Sequence, residues 1–496
     1  MAKIFESLRM KKPRYSAFDL SHEKKLSCKM GELIPILNQE ILPGDSFAIN
    51  SEVMLRFAPM IAPVMHRVNV YVHYFFVPNR IIWDEWEDFI TGGREGTSNP
   101  TVPTMPLNPG GNLTAIGGLG DYLGIPFVSA GAGTWNASVS ELPFRAYLQI
   151  YNDYYRDQNL EAELDITSDS ELVQLRMRAW EKDYFTSALP WTQRGTELQT
   201  PFSFNPQTGD WDDVWDVSGA PALSGATPLS SGAAGDLVGG TFGKTIDNTK
   251  SLGMTINDLR QTSALQRWLE RQARGGARYI ETILSHFDVK SSDARMQRAE
   301  YLGGGRQPVV ISEVLNTSAT ATEAQGTMAG HGISVGTANR AKKRFEEHGW
   351  LFGIMSVLPR TAYQQGLHRS LFRTDKFDYF WPELANIGEQ EIQQKEIYYD
   401  KNDTQEQQDA AFGYQQRYAE YKYGCSTVHG DFKDNLDFWH MGRIFSSAPA
   451  LNNDFVKSNP TDRIFAVTTD DTLWVQVYNS VRARRPMPYY ANPQLS

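Results

Sequence analysis

Apolar and polar residues alternate most clearly between Ser51 and Gly93. Val53, Leu55 and Phe57 recur at every second position, the period of a half-buried strand. Pro59 and Pro63 interrupt the run, so Ala58 to Met65 reads as an apolar bend. A longer strand follows, with Val68, Val70, Val72, Tyr74 and Phe76 on one side and Arg67, Asn69, Tyr71, His73 and Phe75 on the other. Pro78 cannot donate to a ladder and ends the strand. Asn79 is placed to cap a short helix carrying Ile82, Trp86, Phe89 and Ile90 on one face, which Gly92 closes.

The same reading extends in both directions. Leu33 to Leu42 is apolar around Pro35, as in an edge strand or an extended segment, and the following LPGDSF marks a turn. Pro143 opens a helix with Phe144, Tyr147, Leu148, Tyr151 and Tyr155 at helical spacing. Ser168 and Glu171 have the spacing of a capping box ahead of a second helix bearing Leu172, Leu175 and Ala179. Asn257 caps a further helix with Leu259, Leu265, Trp268 and Leu269; Gly275 and Gly276 break it, and Ala277 to Phe287 resumes helical character. Strands return at Pro308. Trp350 to Leu358 is apolar on both faces, as in a buried sheet, and Leu473 to Val481 alternates strongly, with weaker strands at Tyr421 to His429 and Ile464 to Thr468. Strands at both ends, with helices and loops between, predict one β-sandwich domain with long excursions.

Composition narrows the class. The 496 residues are 41% hydrophobic and 12% aromatic, enough for a sizeable core. No run approaches the roughly 18 apolar residues that span a bilayer, and the charged N-terminus lacks the apolar core of a signal peptide. Cys28 and Cys425 are too few and too distant to make a disulfide framework, which fits folding in a reducing cytosol. The net charge of −10 argues against a protein that coats nucleic acid over its whole surface.

Charge is unevenly spread. Residues 1–32 form a basic arm with Lys3, Arg9, Lys11, Lys12 and Arg14, and residues 482–496 a proline-containing tail with Arg482, Arg484 and Arg485. Such clusters suit phosphate or a neighbouring subunit. Glu95 to Phe144 has no Lys or Arg and many glycines, the composition of a long loop. Gly195 to Gly243 has six acids, no base, and Trp211 and Trp215 embedded among Asp212, Asp213 and Asp216, as in an exposed insertion.

Motifs for chemistry fail on inspection. Gly243-Lys244-Thr245 ends like a phosphate-binding loop, but Val238 stands where the loop needs glycine. His22-Glu23 opens a zinc-protease motif whose second ligand position holds Leu26. Gly303, Gly304 and Gly305 lack dinucleotide-loop spacing and read as a turn before a strand. Asp84, Glu85, Glu87 and Asp88 lie on the polar side of a short helix rather than as a glycosidase pair. His66 and His73, seven apart on a strand, point to opposite faces. Cys425 and His429 are close in sequence, but no oxyanion hole or orienting acid accompanies them. No catalytic residue, cofactor or metal is expected.

The central block, RFAP-x-IAPVMHRVNVY-x-HYFFVPNR-x-x-WDEWEDFITGG, resembles the major capsid proteins of small circular single-stranded DNA phages, the microviruses, and especially their gokushovirus-like branch. Further blocks keep the family's order: FDLSHEKKLSC, LPW-x-x-RG, ARGGARYIETILSHF, YLGGGRQPV, TAYQQGLHR, FGYQQRYAEYKY and DFWHMGRIFSSAPALN-x-x-F. The resemblance implies an eight-stranded antiparallel jelly roll, the viral capsid β-sandwich, over residues 33–481. Residues 95–143 and 195–250 would be loop-rich insertions in it, and 144–181 and 257–287 helical ones. It implies a homo-oligomeric T=1 icosahedral shell around circular single-stranded DNA, built in the host cytoplasm without membrane insertion. Implied partners are an internal scaffolding protein, a small basic DNA-binding protein, a DNA pilot protein and a host surface receptor. On that reading Lys3, Arg9, Lys11, Lys12, Arg14, Arg482, Arg484 and Arg485 face the DNA or interior, and Trp211, Asp212, Asp213 and Trp215 meet the host. The alternative is a carbohydrate-binding or carbohydrate-active β-sandwich, with Trp211 and Trp215 stacking on sugar.

Overall fold

The computed structural model describes residues 15–93, 97–107, 111–127, 137–192, 256–275, 298–315 and 328–490, with a few isolated positions between them. The N-terminal strands are β1 (Ser16–Asp19), β2 (His22–Cys28), β3 (Ile34–Ile41), β4 (Ser46–Phe57) and β5 (Val68–Pro78). A small pair, β6 (Thr104–Pro106) and β7 (Ser138–Ser140), lies in the following connection. Then come β8 (Glu300–Pro308), β9 (Val310–Leu315), β10 (Met328–Arg344) and β11 (Gly349–Pro359). A second small pair, β12 (Glu389–Gln393) and β13 (Ala411–Gln416), precedes β14 (Leu473–Arg485).

Two antiparallel sheets make the sandwich. One has the order β3-β11-β5-β8; the other contains β2-β14-β4-β10, with β1 extending the β2 edge along β14 and β9 added beyond β10. Taking β2, β3, β4, β5, β8, β10, β11 and β14 as first to eighth, the sheets run first-eighth-third-sixth and second-seventh-fourth-fifth, which is jelly-roll connectivity. Two connections carry the insertions: residues 79–299 between β5 and β8, and residues 360–472 between β11 and β14.

β5 shows why the central block dominates the sequence. Val68, Val70, Val72, Tyr74 and Phe76 enter the core between the sheets with Leu55, Leu351 and Val477. The opposite face also packs: Phe75 and Val77 join Phe144, Tyr147 and Tyr151 from the first insertion in a second core. The helix there is α4 (Leu142–Ile150, after short helices α1 Asn79–Ile82, α2 Trp86–Thr91 and α3 Leu119–Leu123), continued by one π turn at Tyr151–Tyr155. A third cluster holds Tyr184, Phe185, Tyr363, Ile397, Phe412 and Phe455, mostly from the second insertion. The four-stranded sheet is therefore covered on both faces. A separate unit spans residues 193–286; its described part is chiefly helix α6 (Ile256–Gly275), which follows α5 (Asp169–Leu172).

Several expectations change. The basic arm does not extend to residue 32, because Ser16–Cys28 lies along β14, and the tail begins only after Arg485, where β14 ends. β2 escapes the apolar pattern because its inward positions are Lys24, Leu26 and Cys28. Lys24 Nζ is satisfied by the carbonyls of Pro35 and Tyr122, and burial pulls its pKa down to about 8. Asn79 is the first helical residue rather than the cap; Pro78 takes the cap position, and the expected helix is two pieces, α1 and α2, with Gly92 closing the second in the left-handed region. The Ser168 side chain makes no capping bond and α5 ends at Leu172, after which the chain runs extended to bridge Glu32 and Lys457. α6 starts one residue ahead of Asn257. Gly303, Gly304 and Gly305 lie inside β8, not in a turn before it, and Tyr421 to His429 and Ile464 to Thr468 form isolated bridges instead of strands.

Candidate nucleic-acid interface

The outer face of the six-stranded sheet is exposed, and its chemistry follows from the alternation of β14, β4 and β10. In β14, Leu473, Val475, Val477, Asn479, Val481 and Ala483 are buried, which turns Arg482 and Arg484 outward beyond Trp474 and Tyr478. The register then brings distant cations together. Arg482 pairs with Asp19 on one side and Ala48 on the other, and Ala48 pairs with Lys342. One row along, Arg484 lies between Ala17 and Ser46, and Ser46 pairs with Arg344; in the opposite direction Asn50 pairs with Arg340. Arg340, Lys342, Arg344, Arg482 and Arg484 are all exposed. Strands lie about 4.8 Å apart, so five cations share a small area at one end of the face, with Asp19 as the acid in their rows. The Asp19 carboxyl is held below its usual range by hydrogen bonds from Ser21 and by Arg482.

Arg485 differs from its two neighbours. Its guanidinium turns to the buried carboxyl of Asp45 (3.4 Å), donates to the Glu40 carbonyl (2.7 Å) and lies over the Phe47 ring. It is engaged by the fold. Arg484 lies over the ring of Tyr15.

Charge along the sequence singled out Arg482 and Arg484, as tail residues rather than strand residues, but not their partners on β10. A signal was present: Arg340-Ala341-Lys342-Lys343-Arg344 is a basic run in an acidic chain. Within it Lys343 points the other way and pairs with Glu300 at 2.6 Å. Lys3, Arg9, Lys11, Lys12 and Arg14, and likewise Trp211, Asp212, Asp213 and Trp215, lie outside the described residues.

The remaining candidate chemistry is bound up in structure. His66 Nε2 meets the Arg360 carbonyl, and His73 Nδ1 meets the Tyr155 hydroxyl at 2.9 Å. Burial, with the Asp183 charge, pushes the Cys425 thiol up to about 12, the opposite of an activated nucleophile, and His429 bonds to Thr427. Among the described residues no group of His, Cys, Asp and Glu could hold a metal ion, and no helix is long and apolar enough to cross a membrane.

Comparison with known proteins adds an independent line. The family model described as "Capsid protein (F protein)" matches residues 8–495. The chain is 37% identical to the capsid protein VP1 of Bdellovibrio phage phiMH2K, over 96% of this chain and 95% of that one. It is 33% identical to the capsid protein VP1 of Chlamydia phage 1, over 97% and 96% of the two chains. To the capsid protein VP1 of Spiroplasma virus 4 it is 30% identical, over 97% and 95%.

Proposed function

The chain belongs to the F-type capsid protein family of phages, and from that premise we propose that it turns the basic end of its six-stranded sheet toward the packaged genome. It is a major capsid protein of a microvirus-like phage and a component of the virion. In the proposed arrangement copies of the chain close a T=1 icosahedral shell around circular single-stranded DNA. Stable contacts between such copies bury roughly 2,000 Å² or more.

The observation that supports this reading is the asymmetry of the sandwich. The outer face of the four-stranded sheet is covered by the first insertion, whereas the six-stranded sheet exposes Arg340, Lys342, Arg344, Arg482 and Arg484 in a chain of net charge −10. A polyphosphate is attracted to that patch and repelled by most other surfaces, and its binding releases counterions. Five cations cannot neutralise a packaged strand, so the small basic DNA-binding protein remains the main source of positive charge. The scaffolding protein, the pilot protein and a host receptor complete the proposed set of partners. The acidic stretch Gly195 to Gly243 is assigned to the exterior, because six carboxylates against DNA would repel phosphate.

Replacing Lys342, Arg344, Arg482 and Arg484 together by Gln tests the assignment. The particles are expected to hold less DNA and to lose it at lower salt than the parent. Genome-filled particles at normal yield and normal salt resistance would overturn it.

A further inference from the structure

A second site lies on the opposite sheet, away from the basic face. A cleft of about 440 Å³ opens where β5 and β8 meet the end of the α4 segment and the extended chain around Trp180. Six rings line it: His73, Phe75, Tyr154, Tyr155, Trp180 and Tyr301. They hold one another in place. The Phe75 centroid is 4.8 Å from that of Tyr154 and 5.5 Å from that of Tyr301, and the Tyr154 hydroxyl donates to the Ala299 carbonyl at 2.7 Å. Tyr301 is 48% exposed and offers an open ring face.

The charges in this cleft do not cancel. Asp157 is answered by Lys182 at 2.5 Å, and Glu181 by Arg360 at 2.9 Å and by the Tyr71 hydroxyl. Arg156 and Arg178 also line the cleft, and among the described residues neither has a carboxylate within ion-pair distance. Arg178 donates to Ser356 Oγ at 2.9 Å and lies 4.3 Å from the centre of the Tyr71 ring. Arg156 donates to the Glu161 carbonyl, and its Nε is buried without a partner among the described residues. Desolvated cations without a counter-ion are costly, so the cleft favours an anion. Its rings favour a flat, largely apolar body.

We propose that this cleft binds a nucleotide, with the base against Tyr301 and the phosphate held by Arg156 and Arg178. Guanidinium–phosphate pairs are strong and directional, and stacking on an aromatic ring is tolerant of base identity. A free nucleotide and one nucleotide of the packaged strand share this chemistry. The site stands independently of the basic sheet face, since the two have no residue in common.

The test is a calorimetric titration of the full-length, unassembled chain with dTMP, thymidine, inorganic phosphate and a short oligo(dT). Saturable binding of dTMP is expected, with thymidine and phosphate each at least ~10-fold weaker. Tyr301→Ala and Arg156→Gln should each weaken dTMP roughly 10-fold at unchanged melting temperature, and Lys401→Gln, an exposed position in neither site, should leave it alone. Should R156Q fold poorly, the exposed Tyr301 position carries the test. Oligo(dT) competing with dTMP and weakened by Y301A assigns the site to the strand; oligo(dT) that neither competes nor responds assigns it to the free nucleotide. Phosphate or thymidine binding as tightly as dTMP, or no saturable binding at all, would overturn the proposal.

Discussion

The hydroxyl of Tyr74 crosses the interior of the sandwich and donates to Ser51 Oγ at 2.6 Å. Ser51 in turn donates to Asn479 Oδ1 at 2.6 Å, and Asn479 Nδ2 donates to the Ile36 carbonyl at 2.9 Å. The chain of bonds passes from β5 to β4, along to β14, and back to β3, so it ties both sheets together through fully buried groups. Burial pushes the Tyr74 phenol up to about 12, which keeps it a donor at any ordinary pH.

Removing one member of this network leaves its neighbour unsatisfied in a water-free interior. Tyr74→Phe and Ser51→Ala are each expected to cost about 1–3 kcal/mol. The double variant should cost clearly less than the sum, because both single changes break the same bond. Denaturant unfolding of the four proteins measures the coupling; strict additivity would show that the bond contributes nothing.

Gly304 lies within β8, where an added Cβ would fall 2.3 Å from the Val72 carbonyl oxygen and 3.1 Å from His73 Cα. Those are backbone atoms of the paired strand and cannot swing aside. Gly304→Ala should therefore lower stability by at least ~1–3 kcal/mol. Gly424→Ala, where nothing lies within 4 Å, is the matched control and should leave the melting temperature near that of the parent.

His73 supplies a pH dependence. Burial, reinforced by the Arg178 charge, pulls its pKa from 6.5 down to about 4. The depressed value means that the folded state favours the neutral ring while the unfolded chain takes up a proton first. This contribution is fully present above the unfolded value and is lost as pH falls through that window toward the folded one. His73→Gln should flatten the fall in stability across that window. An identical acid slope in both proteins would remove His73 from the account.

Arg482 and Arg485 are three residues apart on one strand and should behave oppositely. Arg485→Gln leaves the fully buried Asp45 without its counter-charge, and a loss of roughly 3 kcal/mol is expected. Arg482→Gln, at an exposed position, should change stability by less than about 0.5 kcal/mol. Thermal melts of the two variants separate the residue that holds the fold from the one exposed on the sheet face.

β4, β5, β11 and β14 were legible because alternation is a local property of extended backbone: Leu55, Val70 and Val477 announce a buried face without reference to any other strand. Glycine in the left-handed region at Gly92 is equally local. β2 and β10 were not legible, since their inward positions are filled by the rest of the molecule. Gly332 is small because the Phe57 ring would lie 2.8 Å from its Cβ, and Gly336 because Gln307 occupies that space. Lys24 can face inward only because Pro35 and Tyr122 present carbonyls to it.

The site divides the same way. Sequence alone determined that the chain is a β-sandwich with long excursions, that its block order is that of the phage capsid proteins, and that Arg482, Arg484 and Arg485 form a basic cluster near its C-terminal end. Tertiary structure alone decided that Lys342 and Arg344 join Arg482 and Arg484, that Arg485 belongs to Asp45, and that two guanidiniums with no carboxylate partner among the described residues meet six rings, Tyr301 among them. Side-chain alternation is set by the backbone of a single strand, whereas strand adjacency and register are set by packing between residues hundreds of positions apart.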